Sequence, residues 1–339
     1  MGIKKAALLI NLGSPVSPQV NDVRRYLREF LMDPYVIDIP YILRYCLVNY
    51  IIVPFRSARI AEAYKKIGME DGSPLLVISR NLVEAVQNKS NIPVEIAMRY
   101  QNPSIPNAIN KFNSLNIEEI LVIPLFPQYA IATFKSAVES VENYIKSSGF
   151  KIKITVHPPF YNDTNYILAL TDTIKKCLNE PFDHIVFSYH GLPVRHIKKA
   201  DLTKKHCLKV PNCCNIPSPS HQYCYRHQCF ETTQAVVEKL GLPSDKYTVA
   251  FQSRLGFDKW LEPATADVLK SLPSRNIKNV LVACPSFVAD CIETLEEIAI
   301  RNRESFIAAG GNDLKLIPSL NTNPFWVDAV AGWIKQFEK

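Results

Sequence analysis

Glycine is scarce, at 11 residues in 339, while proline numbers 24. That excludes a collagen-like chain and a Gly-rich linker architecture. No G-x-G-x-x-G follows a strand pattern and no G-x-x-x-x-G-K-S/T loop occurs, so dehydrogenase and kinase readings lose their main support. The pair Gly310-Gly311 reads as a helix stop. Long apolar runs are missing too. The most apolar segment, Tyr41–Phe55, is broken by Arg44, Asn49 and Pro54 and is too short to span a bilayer. Lys4 and Lys5 precede the run Ala6–Leu12, but that run leads straight into Gly13-Ser14-Pro15, a strand entering a loop rather than a secretory signal. The N-terminal sequence lacks the Ser or Thr that a myristoylation site wants at position 6. Net charge is +7, yet no long basic block is present, which argues against a nucleic-acid platform. The excess suits an anionic small molecule, an anionic membrane surface, or simply a basic solvated face. A cytoplasmic protein in peripheral contact with a membrane is the expectation, with its nine cysteines as thiols or metal ligands rather than disulfides.

What is present is an ordinary globular composition, 47% hydrophobic and 21% charged, in a chain long enough for two domains of about 150 residues. Short apolar β-rich runs alternate with helical spacing, which implies βαβ units and parallel sheets. The two halves echo one another in order. LLINLGSP corresponds to IVFSYHGLP, VEIAMRY to YTVAFQS, and IEEILVIPLFP to IKNVLVACPSF. The fold class predicted is α/β: two similar doubly wound domains, residues 1–155 with an apolar lip at 35–55, and 156–320 with an insert at 200–229. A final helical piece within 321–339 is expected to pack back across them. Ligands of such sheets bind beyond the carboxyl ends of the strands, so the strand-end segments should face one cleft between the domains.

Several residues there could carry chemistry. His190 ends an apolar strand and precedes Gly191; a neutral imidazole can accept a proton or bind a metal. Asp290, Glu293 and Glu297 are spaced i, i+3, i+7 on a helix expected over 290–306. They are either a solvated acidic face or a row that holds a divalent cation or passes protons; Glu296 lies off that face. Arg56 and Arg59 precede Tyr64 on a helical stretch and could pair with a carboxylated ligand. Trp260 could stack on a flat ligand or fill core. Cys207, Cys213, Cys214, Cys224 and Cys229 fall within 23 residues, among Pro, Asn and Ser. Such a loop buries too little apolar surface to fold alone, and thiolate ligation of a metal would order it. His206, His221 and His227 make zinc a candidate, and four of the five thiolates would suit a [2Fe–2S] cluster. Cys46, Cys177 and Cys284 read as core thiols.

Taken together, LLINLGSP, RRYLREFLMDP, AEAYKKIGMEDGSPL, MRYQNPSI, PLFPQY, SYHGLP, FQSRLGFDKWLEP and FVADCIETLEEI resemble, in that order and across nearly the whole chain, the ferrochelatases, which insert ferrous iron into a porphyrin to make haem. The resemblance implies two Rossmann-like domains with the porphyrin in the cleft between them. It implies His190 as the active-site histidine, Glu293 as its acidic partner, and Asp290 and Glu297 as the rest of the acidic row. Arg99 and Tyr100 match a pair near the metal side, and Tyr64, Arg56, Trp260 and Leu12 match pocket positions. Two departures stand out: Cys291 replaces a histidine, and Leu12 a Met or Tyr, of some relatives. The insert resembles that of bacterial members with internal cysteines, which favours a [2Fe–2S] cluster without choosing between Cys213 and Cys214. The implied reaction is Fe2+ insertion into protoporphyrin IX with loss of two protons. A coproporphyrin enzyme, a cobalt or nickel chelatase, and a non-catalytic tetrapyrrole or metal carrier are the alternatives, and the oligomeric state is not specified.

Overall fold

A computed structural model describes residues 4–254, 256 and 258–339. Four strands, β1 (Lys5–Asn11), β2 (Val94–Met98), β3 (Glu119–Pro124) and β4 (Lys153–Val156), form one sheet in the order β2-β1-β3-β4. Four more, β5 (His184–His190), β6 (Tyr247–Gln252), β7 (Asn279–Ala283) and β8 (Asp313–Leu316), form a second in the order β6-β5-β7-β8. Every pairing in both sheets is parallel. The two orders are the same, as the sequence echo predicts.

The central strands are continuous apolar runs because helices cover both sheet faces. Ala6 to Ile10 of β1 and Ile185 to Phe187 of β5 have no exposed surface. In the second sheet Val186, Ala250, Val280 and Val282 share a core with Leu269, Leu272, Ile298 and Phe306 from the covering elements. Helices begin where a polar side chain can satisfy their first amides. Ser73 and Ser104 each precede a proline at the first helical turn, and Asp163 accepts from the amides of Asn165 and Tyr166.

The chain divides into two compact units. The first comprises the residues up to Phe126, Ile131–Pro159 and Val327–Lys339; the second comprises Pro127–Ala130 and Phe160–Trp326. The helix Pro324–Glu338 ends within the first unit. Lys5 Nζ donates to the Phe337 carbonyl at 2.6 Å, Trp333 stacks on His157, and Glu338 accepts from Ser90 and Asn91. Among the described residues no helix is long and apolar enough to cross a membrane.

Candidate active site and cysteine-rich segment

In the second unit the site is built at the carboxyl end of β5. His190 is its last residue, paired in register with Gln252 of β6. Its Nδ1 lies 2.7 Å from the Gly191 carbonyl. A carbonyl only accepts, so Nδ1 carries the proton and Nε2 keeps its lone pair for a proton or a metal. Gly191 is required by proximity. A Cβ there would sit 2.6 Å from the Gln252 carbonyl oxygen and 3.4 Å from Cε3 of Trp260. Trp260 is thus packed beside the turn that follows the histidine, and its bridge to Pro193 fixes it there.

The acidic row is attached to the same strand ends, although not as one helix face. The helix expected from Asp290 begins later, as a π-helix over Glu293–Asn302 that continues as an α-helix over Arg303–Ala308. Asp290 precedes it and is 7% exposed. Its carboxylate accepts from Thr294 Oγ1 at 2.9 Å, from the Ser319 amide and from Asn321 Nδ2. Those bonds tie the start of the helix to the loop after β8, and they replace the shared-face reading for this residue. Glu293 and Glu297 do lie one turn apart on the helix. Gln252 Nε2 donates to the Glu293 carbonyl at 2.8 Å, and Ser253 holds Glu297 through its amide at 2.9 Å and its hydroxyl at 2.6 Å. Ser253 adopts a left-handed backbone, φ 67°, a conformation uncommon for a residue with a side chain.

Gln252 and Ser253 therefore join His190 to Glu293 and Glu297. Sequence reasoning missed them as site residues, along with Ser188 and Thr265, which complete a buried chain of hydroxyls onto the Gln252 amide. The available signal was two adjacent polar residues at the end of an otherwise apolar strand.

In the first unit Leu12, Arg99 and Tyr100 come together at the ends of β1 and β2. The Arg99 amide donates to the Asn11 carbonyl, and the Tyr100 amide to the Leu12 carbonyl. Gly13, at φ 106°, allows this approach, since a Cβ would lie 2.0 Å from the Tyr100 carbonyl oxygen. Arg99 and the Tyr100 hydroxyl both converge on the buried Asp33, at 2.6 and 2.8 Å, together with Ser136. Burial, with Asp33 next, pushes the Tyr100 phenol well above its usual range, so it stays a donor. Arg56 is exposed and Tyr64 buried on the helix Val53–Ile67.

All five clustered cysteines are buried. The cysteine-rich segment contains only a short 3-10 helix, Pro219–Tyr223, before the helix Tyr225–Leu240, which Cys224 precedes as its cap. The Cys224 side chain is close enough to those of Cys207 and Cys214 to influence their titration. Cys213 Sγ accepts the Leu208 amide, and Cys214 Sγ accepts from Arg226 at 3.0 Å. His206 and His221 both donate from Nε2 to the Cys213 carbonyl, and His227 donates from Nδ1 to that of Cys214. Asp201 organises the start of the segment, accepting from the amides of His206 and Cys207 and from the hydroxyls of Thr203 and Ser220. Burial works against that carboxylate, but these bonds hold it well below its usual range. Among the described residues no group of three or more His, Cys, Asp or Glu side chains is arranged to hold a metal ion.

Paired sheets of identical strand order, with a strand-end histidine tied to an acidic π-helix, define a chelatase-type α/β protein. The solved structure of SirB from Bacillus subtilis with Fe3+ superposes with a TM-score of 0.57 at 12% identity, covering 98% of this chain and 95% of that one, which is a likeness of fold. The Ferrochelatase family profile matches residues 4–337. The ferrochelatase of Pseudomonas syringae pv. tomato is 45% identical over 322 residues, 95% of this chain and 94% of that protein. The ferrochelatase of Ectopseudomonas mendocina is 46% identical over 327 residues, 96% of each. The chain belongs to the ferrochelatase family, metal-chelatase lyases of haem biosynthesis.

Proposed function

We propose that this chain inserts Fe2+ into protoporphyrin IX, with His190 as the group that meets the metal and the pyrrole protons. The observation that carries the reading is the His190 tautomer: Nδ1 is spent on the Gly191 carbonyl, so Nε2 is the reactive nitrogen. Metallation replaces two pyrrole N–H bonds with metal–nitrogen bonds and releases two protons. The site then needs an acceptor and a path outward, which Glu293 and Glu297 supply through their attachment to the same strand ends. Asp290 acts as their anchor, buried at the entry to the helix and hydrogen-bonded to Thr294, Ser319 and Asn321. Arg56, Arg99, Tyr100, Tyr64, Leu12 and Trp260 are assigned to the porphyrin. An aromatic and apolar surround can use the binding energy of the ring periphery to distort the macrocycle and turn a nitrogen lone pair toward the metal.

The test is anaerobic insertion of Fe2+ followed by absorbance, with protoporphyrin and coproporphyrin offered separately. Conversion of protoporphyrin with the higher kcat/KM is expected. Preference for coproporphyrin overturns the substrate, and tight binding without conversion of either makes the chain a carrier.

We further propose a [2Fe–2S] cluster on four of Cys207, Cys213, Cys214, Cys224 and Cys229, a reading supported by the residue types of the segment and not by their arrangement, since no group among the described residues is set to hold a metal. The segment offers buried thiols, with N–H donors already aimed at Cys213 and Cys214. When bound, the cluster supplies one-electron chemistry, whereas metal insertion transfers no electrons and runs on the residues above. Burial pushes the Cys207 thiol up to about 11, so loading releases protons and strengthens as pH rises. About two iron and two sulfide per chain, with visible absorption, are expected for a cluster of this type; stoichiometric zinc without colour would reject it.

Peripheral contact with an anionic membrane is assigned to the first unit. The continuous helical stretch Tyr41–Ile67 exposes Tyr41, Ile42, Leu43, Tyr50, Ile51 and Phe55, the last at 81%. A contiguous apolar surface of this kind marks an interaction site. Beside it, a surface cavity of about 540 Å³ is lined by Asn21, Arg24, Arg25 and Arg28, and Arg28 bonds Asn49 of the apolar stretch at 3.2 Å. Flotation with phosphatidylglycerol vesicles at low salt is expected, and its loss on I42E/F55E substitution. Equal flotation of the variant would remove this surface from the contact.

A further inference from the structure

Tyr225 connects the cysteine-rich segment to His190. It follows Cys224 directly and opens the helix Tyr225–Leu240. It is 5% exposed. Its hydroxyl lies 2.9 Å from the His190 carbonyl oxygen and 2.8 Å from Ser286 Oγ. A phenol has one proton and two acceptor positions. The carbonyl of His190 only accepts, and Ser286 spends its own proton on the Gln128 side-chain oxygen, so the single Tyr225 proton serves the His190 carbonyl and the neighbouring Ser286 Oγ. Ser286 is itself placed by Gln128, 3.1 Å away.

His190 is thus held at two points. Its ring is fixed by the Gly191 carbonyl and its main chain by a phenol. The phenol's place is set from the other side. Cys224, its neighbour in the chain, and Cys229, one turn along the helix, are both buried members of the cysteine cluster.

We propose that Tyr225 is a positioning residue through which the state of the cysteine-rich segment sets the placement of His190. The proposal rests on the assignment of His190 as the reactive group, and the experiment separates the two. Wild type, Tyr225→Phe, Cys207→Ser and the double variant are compared as full-length chains. Each is read by kcat and porphyrin KM for Zn2+ insertion, and by the 15N imidazole signals of histidine-labelled protein, with His190 assigned from a His190→Asn sample. Tyr225→Phe should lower kcat by about tenfold with KM within about twofold, the pattern of a loss confined to the transition state. The His190 signal should move, and the metal content of the segment should stay as in wild type. Cys207→Ser should move the same signal, and the double variant should be no worse than Tyr225→Phe alone, because both act through one link. Additive losses, or a His190 signal unmoved in Cys207→Ser, would overturn the coupling. If Tyr225→Phe does not fold, the Cys207→Ser signal decides alone. A moved signal with unchanged kcat would leave the coupling standing and remove His190 from the chemistry.

Discussion

Replacing His190 with alanine should lower kcat for Fe2+ insertion by roughly 10²–10⁴-fold, the usual worth of a positioned acid–base group, and leave porphyrin affinity within about threefold. The split follows from where the side chain is attached. His190 sits at the end of a strand whose preceding residues are wholly buried, so the backbone that carries the ring survives its removal. What is lost is the single nitrogen left available by the Nδ1 contact with Gly191. Among the described residues no other side chain is hydrogen-bonded to that ring, so stability should change little. Porphyrin quenching titration and anaerobic turnover, measured side by side, check the split. Turnover within about fivefold of wild type would assign the protons to Glu293 and Glu297 instead, and parallel loss of binding would make His190 a ligand-holding residue. His190→Gln, which returns a polar group without an equivalent base, should remain as slow as the alanine variant.

The fold was legible because the central strands are buried on both faces and therefore read as unbroken apolar runs. Those runs, in the same order twice, were enough for two parallel sheets. The outer strands β4 and β8 escaped notice for the converse reason. They are four residues each and half-exposed at the sheet edge, so KITV and DLKL carry too few apolar residues to stand out. Candidate site residues stood out where chemistry restricts the residue type, as at His190 and the cysteines. Those that act through geometry were not. Gln252, Ser253, Asn321 and Tyr225 are each of a common polar or aromatic type, and their importance arises only when parallel pairing and the π-helix bring their partners to them. The π-helix itself explains the misplaced Asp290: periodicity tells where charged residues recur, but not that the backbone enters its helix three residues later and spends the first carboxylate on its own entry.

The second large effect is expected at Asp33 of the first unit, a residue that no motif singled out on its own. One of its oxygens accepts from Arg99 at 2.6 Å, Tyr100 at 2.8 Å and Ser136 at 2.6 Å, and the other accepts the Tyr35 amide at 2.7 Å. Its side chain is 2% exposed and that of Arg99 is 20% exposed. Removing the carboxylate leaves a largely buried guanidinium without its counter-charge and three further donors, two of them buried, without their acceptor, a loss of about 3–5 kcal/mol for a broken buried pair. Asp33→Ala should therefore lower the unfolding midpoint by on the order of 10 °C. It should also release Arg99 and Tyr100 from the ends of β1 and β2, and porphyrin KM should rise more than kcat falls. Asp33→Asn keeps the volume and one acceptor oxygen but not the charge, and should fall between the two. Replacing Asp33 and Arg99 together, by Ala and Met, should recover much of the lost stability, because the stranded charge goes with its partner; it should not restore KM. Scanning calorimetry and steady-state kinetics on the three variants decide the matter. A midpoint within about 2 °C of wild type in Asp33→Ala would show that water replaces the carboxylate at little cost, and the network would then be an accessory of the first unit rather than what holds Arg99 and Tyr100 in place.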